Sequence, residues 1–355
     1  MPDLFAPLPL AHGRPLPNRL ALAPLTNRQS HADGTLSEAE RTWLLRRARG
    51  GFGLTMTCAS HVQPNGQGFG GQLAIHSDVF LDGLTSLATD LRETGTRSAV
   101  QLHHAGARAD RAEVADPVSA SELDGARALT TEEVQQLGAD FVAAAVRAER
   151  AGFDGVEVHG AHGYVLTQFL SAETNRRTDA YGGSPENRAR LLLEVLAGIR
   201  AACGPDLQLG LRLSVERFGL RTLEVRELVE ELYRRAELDY LDLSLWDVTK
   251  HSVDEDAQRL PLLELFAELP RGDVRLGVAG KVRTPADAAA VLERGADLAF
   301  VGRAAILNAE FADLARDPAW EPEAGPVDAG YLAAQDVSPP FVDYLRSNFR
   351  GVVTP

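Results

Sequence analysis

The sequence predicts an α/β fold in which eight parallel strands close into a (β/α)8 barrel. Short runs rich in leucine and valine alternate with longer amphipathic runs, and this alternation repeats eight times along the 355 residues. Such alternation indicates a parallel sheet, because parallel neighbours need a crossover helix between them. Eight units are the number that closes a TIM barrel. An open, doubly wound sheet is the alternative arrangement.

The eight predicted strands follow one another along the chain. They occupy residues 19–25, 54–60, 98–104, 155–160, 207–214, 240–246, 274–280 and 298–303. Between them, Thr130 and Glu133 predict a capping box at the start of a helix. Ser184 and Thr284 each precede a proline, which predicts two further helix N-termini. Gly152 predicts the end of the helix that begins after Thr130.

The chain is expected to form a single domain over residues 1–355. The barrel is placed at about residues 18–318, and a C-terminal extension at about residues 319–355. Long loops are predicted after the third and fourth strands, and no Pro/Gly/Ser-rich linker divides the chain. Barrels of this kind commonly reach about 250 residues or more as one unit.

Composition and charge exclude several classes of protein. Hydrophobic residues make up 45% of the chain, as in globular proteins with a large core. The net charge of −14 disfavours nucleic-acid binding, and no run of about 18 apolar residues predicts a membrane span. Cys58 and Cys203 form no CxxC pair, so a thiolate metal site is not expected. The N-terminus lacks the pattern of a secretion signal, and a cytoplasmic location is expected.

Residues at the strand ends are the candidate site, because reactive groups in such barrels follow the carboxyl ends of the strands. In strand order they are Pro24, Leu25 and Thr26, then Ala59, then Gln101 and His103, then His159, His162 and Tyr164, then Arg212, Trp246 and Gly280, and finally Gly302 with Arg303. Alternation places Glu157 on the interior face with His159. Glu157 is expected to pair with an interior arginine such as Arg212.

The last two strand ends predict a phosphate site. Gly280 ends the seventh predicted strand, and Gly302 with Arg303 ends the eighth. Glycine lets backbone N–H groups approach an anion, and the helix that follows directs its positive end there. Arg303 adds a bidentate charge.

The pair His159 and His162 has several interpretations. With His103 it could bind a metal in a TIM-barrel hydrolase, although the first strand supplies no ligand. A Schiff-base enzyme needs a barrel lysine, and only Lys250 and Lys281 exist. Both histidines could also be packed core residues.

Several segments resemble the Old Yellow Enzyme family of FMN-dependent ene-reductases. They are NRLALAPLTN at 18–27, QLHHAGARA at 101–109, VEVHGAHGYVLTQFLS at 156–171, NRRTDAYGGSPENRARLLLEVL at 175–196 and GADLAFVGRA at 295–304. The resemblance runs from about residue 3 to residue 318. The segment NRRTDAYGGSPENR is its most specific part, whereas the glycine–arginine ending alone is common.

The resemblance implies a flavoprotein that binds FMN noncovalently and takes hydride from NADPH or NADH. By the match, Pro24, Leu25 and Thr26 lie beside the flavin, Ala59 and Gln101 hold its polar edge, and Arg212 faces N1. Gly280, Gly302 and Arg303 bind the phosphate, as their positions predicted independently. His159 and His162 clamp the carbonyl or nitro oxygen of an enone or nitroalkene, and Tyr164 supplies a proton. No metal is implied.

Two features depart from the patterns of the family. Thr26 stands where one branch of the family carries a redox-tuning cysteine, usually together with a His/His clamp. The other branch pairs threonine with a His/Asn clamp, so this chain, with Thr26 and the His159/His162 clamp, mixes the two patterns. The flavin potential therefore cannot be inherited from either branch. The C-terminal Arg346 or Arg350 is a candidate to enter the site of a neighbouring subunit in a homo-oligomer.

Overall fold

A computed structural model describes residues 3–354, in which eight parallel strands form a closed barrel. The barrel strands are β1 (Leu20–Leu22), β2 (Leu54–His61), β3 (Arg97–His103), β6 (Gly155–Gly160), β7 (Gln208–Leu213), β8 (Tyr240–Ser244), β9 (Arg275–Ala279) and β10 (Leu298–Val301). Their order around the barrel is β1-β10-β9-β8-β7-β6-β3-β2. The predicted (β/α)8 barrel is confirmed, and the open sheet is wrong.

Helices cover the outside of the barrel and form the C-terminal extension. They are α1 (Glu38–Arg49), α2 (Leu81–Glu93), α3 (Thr131–Ala151), α4 (Val165–Leu170), α5 (Pro185–Ala202), α6 (Thr222–Arg235), α7 (Leu262–Ala267), α8 (Pro285–Glu293), α9 (Arg303–Leu307), α10 (Phe311–Leu314), α11 (Ala329–Ala334) and α12 (Pro339–Asn348). None of the helices in the described part of the chain is long and apolar enough to cross a membrane.

The predicted helix signals appear at the helix ends. Thr130 and Glu133 form a capping box at the start of α3, and the left-handed Gly152 ends that helix. Ser184 and Thr284 cap α5 and α8, each before a proline. Since side-chain oxygens bond the free N–H groups at each start, these caps fix where the crossover helices begin.

The buried hydrophobic side chains of the described residues form two main groups, and a third small group of Ala105, Ala109 and Val114 lies in the loop after β3. Of the two main groups, the larger lies between the strands and the helices, and the smaller fills the barrel interior with side chains such as Met56, Tyr240 and Phe300. Leu8 and Leu16 pair across an N-terminal turn and pack against this interior group. The barrel interior away from the strand ends is therefore filled by side chains.

Two long loops and the C-terminal extension surround those ends. The loop after β3 contains the short strands β4 (Val118–Ser119) and β5 (Arg127–Ala128), and the loop after β6 contains α4. In the extension, Gln335 accepts a hydrogen bond from the buried guanidinium of Arg47, whose Nη1 lies 2.7 Å from its carbonyl oxygen. Arg47 also donates to Ala305 and Ile306. One side chain of α1 thus joins the extension to the barrel.

Candidate active site

A cavity of about 460 Å³ opens at the carboxyl ends of the barrel strands, and we call it the strand-end cavity. Small-molecule sites commonly measure about 300–1,000 Å³. Its lining includes Ala23, Leu25, Thr26, His162, Arg212, Ser244, Trp246, Gly280, Lys281, Arg283, Gly302, Arg303, Phe341, Tyr344 and Phe349. Residues from the first, fourth, fifth, sixth, seventh and eighth predicted strand ends therefore line one cavity.

Two predicted site residues outside this lining, Pro24 and His159, adjoin it through Arg212. The carbonyl oxygen of Pro24 accepts a hydrogen bond from Nη1 of Arg212 at 3.4 Å. Ala59 is paired in register with Gln101, and both are buried. His159 is paired in register with Arg212, one strand away.

Three histidines and a serine are joined by side-chain hydrogen bonds, and we call this group the imidazole chain. Nδ1 of His103 lies 2.9 Å from Nδ1 of His159. Nε2 of His159 lies 2.9 Å from Nδ1 of His162, and Nε2 of His162 lies 2.8 Å from Oγ of Ser244. His103 and His159 are buried, whereas His162 is partly exposed and lines the cavity.

The imidazoles of this chain are held neutral. Burial, together with the nearby positive charges of Arg212 and Arg108, lowers the pKa of His162 to about 3. Burial also lowers the pKa of His103 and His159 well below the usual value, because the charged form loses its hydration. Each ring therefore carries one proton, so each offers one donor and one acceptor.

Tyr164 stands beside the imidazole chain. Its ring meets that of His103 edge-on with the centroids 4.4 Å apart, and the guanidinium of Arg108 lies 5.0 Å from its ring centroid. Burial raises the pKa of the phenol, and the charge of Arg108 partly offsets this. The phenol consequently keeps its proton at neutral pH and is a potential proton donor.

Behind the cavity, two cross-strand pairs form a buried polar layer. Nε2 of Gln101 donates to Oε1 of Glu157 at 2.7 Å, and these residues are in register on β3 and β6. Nε of Arg212 lies 3.1 Å from Oδ2 of Asp242, its register partner on β8. The predicted direct pairing of Glu157 with Arg212 is wrong, because their strands place Gly210 rather than Arg212 opposite Glu157.

The two carboxyl groups of this layer resist ionisation. Burial raises the pKa of Glu157, the charge of Asp242 raises it further, and Arg212 acts in the opposite direction. Burial also raises the pKa of Asp242, again against the charge of Arg212. One guanidinium thus faces two buried acids, and both acids bind protons at a higher pH than exposed carboxyls do.

The other end of the cavity is basic and open to an anion. Burial and the nearby Arg283 lower the pKa of Arg303, and among residues 3–354 neither arginine forms an ion pair. The backbone of Gly302 faces open space in the cavity: a Cβ added there would have Leu25 at 3.7 Å and Ala23 at 3.9 Å as its nearest neighbours, and both of these residues line the cavity. The residues therefore fit a phosphate.

Gly280 is required by its backbone. Its φ of 155° is unfavourable for residues with a side chain, and a Cβ there would lie 2.9 Å from the backbone nitrogen of Asp247. Lys281 beside it forms an ion pair with Asp247, with Nζ 2.7 Å from Oδ2. This ion pair disfavours the Schiff-base interpretation, which needs a lysine without a carboxylate partner.

Sequence reasoning missed the part of the wall supplied by α12. Phe341 and Tyr344 line the cavity, and burial raises the pKa of Tyr344, an effect that its hydrogen bond to Thr26 partly offsets. Ser244 was also missed, although it lies within the sixth predicted strand. The one sequence signal for Ser244 was the alternation of side chains along the strand, which places it on the same interior face as Asp242.

The histidines do not form a metal centre in the part of the chain that the structure describes. No group of three or more His, Cys, Asp or Glu side chains there could hold a metal ion. His103, His159 and His162 instead bond to one another.

Comparisons with known proteins agree with this geometry. Residues 3–317 match the NADH:flavin oxidoreductase / NADH oxidase family. The probable NADH-dependent flavin oxidoreductase YqiG of Bacillus subtilis is 38% identical over 86% of this chain and 85% of its own length. An NADPH dehydrogenase of Bacillus licheniformis is 34% identical over 89% of this chain and 92% of its own length. Morphinone reductase in complex with tetrahydroNAD aligns with a TM-score of 0.80 and 31% identity over 94% of each chain.

Barrel, cavity and matches together define an FMN-dependent oxidoreductase that uses NAD(P)H as reductant. An old yellow enzyme homologue from Zymomonas mobilis also aligns, with a TM-score of 0.79 and 26% identity over 93% of this chain and 96% of its own. The chain belongs to the Old Yellow Enzyme family. The metal-dependent hydrolase is not favoured.

Proposed function

We propose that this enzyme reduces activated C=C bonds, in enones and nitroalkenes, with hydride from NAD(P)H that passes through FMN. The observation that carries the proposal is the convergence of Nε2 of His159 and Nδ1 of His162, 2.9 Å apart and beside Tyr164, where His162 lines the cavity. Two neutral imidazole nitrogens at this spacing are suited to bind one oxygen together.

Cofactor binding is assigned to the strand-end residues on their chemistry. Arg303, with the backbone at Gly280 and Gly302, would hold the phosphate, because unpaired positive charge and an open glycine cradle suit a dianion. Arg212 and Gln101 are the polar groups available to the flavin ring, with Pro24, Leu25, Thr26 and Ala59 at its sides. Bound FMN supplies the hydride acceptor and donor.

His159 and His162 together bind the substrate oxygen, and we call this pair the clamp. Donation from His159 and His162 to a carbonyl or nitro oxygen draws electron density from the conjugated C=C bond, and it stabilises the negative charge that develops on that oxygen. Their neutral state matters, because a cavity that also contains Arg212 would repel two imidazolium ions. Fixed donors in a buried site need no reorganisation when that charge appears.

Tyr164 is assigned the proton that completes the reduction. The reduced C=C bond gains a hydride at the β-carbon and a proton at the α-carbon, so one acid is needed. Oη of Tyr164 carries a proton at neutral pH, and the nearby Arg108 stabilises the phenolate left behind. Solvent then returns the proton.

Anaerobic half-reactions test this function. The purified holoenzyme is reduced with NADPH or NADH, and the loss of flavin absorbance is followed. The reduced enzyme is then mixed with cyclohexenone, a maleimide or a nitroalkene, and reoxidation with formation of the saturated product is expected. Reduction by nicotinamide without reoxidation by any of these compounds would contradict the proposal. Reoxidation by the enone should depend on His159, so His159→Ala is the matched variant.

A further inference from the structure

The imidazole chain has a direction that the clamp alone does not explain. His103, His159 and His162 are neutral, so every hydrogen bond between them has one donor and one acceptor. The position of the proton on one ring therefore determines which nitrogen of the next ring is protonated, and so on along the chain. Only two arrangements satisfy all the bonds: protons directed from His103 toward Ser244, or the reverse.

The two ends of the chain decide between these arrangements. Nε2 of His103 is buried and has no hydrogen-bond partner among residues 3–354. In the reverse direction this nitrogen would carry a proton, leaving a buried N–H without an acceptor, which is costlier than an unpaired lone pair. At the other end, the hydroxyl of Ser244 accepts or donates equally well. The chain therefore begins at Nδ1–H of His103.

We propose that His103 is a positioning residue: its Nδ1–H bonds Nδ1 of His159 and so holds His159 as an Nε2–H donor toward His162, which lines the cavity. Ser244 has the second role in this proposal. Its hydroxyl can change from accepting to donating the hydrogen bond with Nε2 of His162, which lets His162 move its proton from Nε2 to Nδ1 when an oxygen ligand enters. The ligand part of this inference rests on the proposed function, whereas the tautomer of His159 in the ligand-free enzyme does not.

The proton balance of the exchange is simple. Without a ligand, Nε2–H of His159 donates to Nδ1 of His162, and Nε2–H of His162 donates to Ser244. An oxygen placed between the two rings needs two donors, so His162 must move its proton to Nδ1. One proton leaves Nε2, one arrives at Nδ1 through solvent at the partly exposed ring, and Oγ–H of Ser244 turns to donate. No net charge changes.

Nitrogen NMR tests the tautomers directly. In the holoenzyme labelled with ¹⁵N-histidine, we expect protonation of Nδ1 in His103 and of Nε2 in both His159 and His162. On addition of 4-hydroxybenzaldehyde, His162 alone should change to Nδ1–H. Each signal is assigned to a residue by its disappearance from the spectrum of a variant in which that one histidine is replaced. Protonation of Nδ1 in ligand-free His159 would overturn the role of His103, and an unchanged His162 in the bound enzyme would overturn the exchange.

Paired substitutions separate hydrogen bonding from packing. His103→Asn keeps an N–H near the Nδ1 position, whereas His103→Leu removes it, and both leave the same space beside Tyr164. We expect the Kd for 4-hydroxybenzaldehyde to rise about tenfold in the leucine variant, the effect of one lost hydrogen bond, and the asparagine variant to stay within about threefold. His76→Leu, outside the imidazole chain, is the control and should not change the Kd.

The outcomes distinguish this inference from the proposed function. Equal weakening in His103→Asn and His103→Leu would indicate packing alone and overturn the positioning role. If the wild-type enzyme neither binds 4-hydroxybenzaldehyde nor reduces enones, the proposed function is contradicted. The tautomer of His159 in its ligand-free spectrum still decides the role of His103.

Discussion

Replacement of Arg212 by methionine should destabilise the protein strongly, because it removes the cation from the buried polar layer. Nε of Arg212 lies 3.1 Å from Asp242, and their side chains are 8% and 0% exposed. At this distance, with an effective dielectric constant of about 20, the attraction is about 5 kcal/mol. Breaking a buried pair by removing one partner costs about 3–5 kcal/mol. We expect a loss of that size near pH 8.

The loss should depend on pH in a defined direction. Burial raises the pKa of Glu157 and Asp242 even with Arg212 present, and without it both should rise further. The folded variant then binds protons that its unfolded chain releases, so its free energy of unfolding falls as pH rises through this range. Near pH 6 the penalty should therefore be smaller than near pH 8, since protonated acids no longer need a cation.

Urea denaturation of the flavin-free protein, followed by far-UV circular dichroism, measures this effect without the contribution of bound FMN. Arg212→Met/Asp242→Asn should recover at least half of the lost free energy near pH 8, because the second change removes a stranded charge. Arg226→Met, which breaks exposed ion pairs, should cost about 1 kcal/mol or less. A loss in Arg212→Met below about 1 kcal/mol, or an equal loss at both pH values, would refute the reasoning.

Three further predictions follow from the site and the fold. Tyr164→Phe should slow reoxidation by an enone about 10²–10⁴-fold in stopped-flow experiments and leave flavin reduction by NADPH unchanged, and equal slowing of both steps would contradict its role. Arg303→Gln should weaken FMN binding at least about tenfold by fluorescence titration, against no change in the surface control Arg316→Gln, because it removes a charge-assisted hydrogen bond. Thr130→Ala should lower the free energy of unfolding by about 1 kcal/mol by breaking the capping box with Glu133, and an unchanged urea midpoint would count against that cap.

Most of the barrel could be predicted because its signals are local. Leucine- and valine-rich runs marked each strand to within a few residues, and the hydroxyl residues before Pro185 and Pro285 marked helix starts. Alternation along the fourth predicted strand placed Glu157 and His159 on the interior face. The convergence of strand ends then followed from the geometry of a closed parallel sheet.

Contacts between distant segments could not be predicted in the same way. Alternation tells which face a side chain occupies, but the partner depends on register, which depends on how neighbouring strands are staggered around the barrel. The mistaken pairing of Glu157 is an example, because Gln101 is opposite it and Asp242 is opposite Arg212. The placement of Tyr344 was equally hidden, because packing against the barrel rather than a local pattern positions α12.

The wall that α12 contributes has a consequence for how this enzyme can change. Phe341 and Tyr344 reach the strand-end cavity from outside the eight strand–helix units, while the imidazole chain and the buried polar layer lie within them. Substitutions in the extension can reshape which molecules are admitted without disturbing the groups that handle charge. The residues of α12 that shape the cavity wall and the barrel residues that carry the charged and proton-transferring groups therefore lie in different segments of the chain, and each set can be substituted without changing the other.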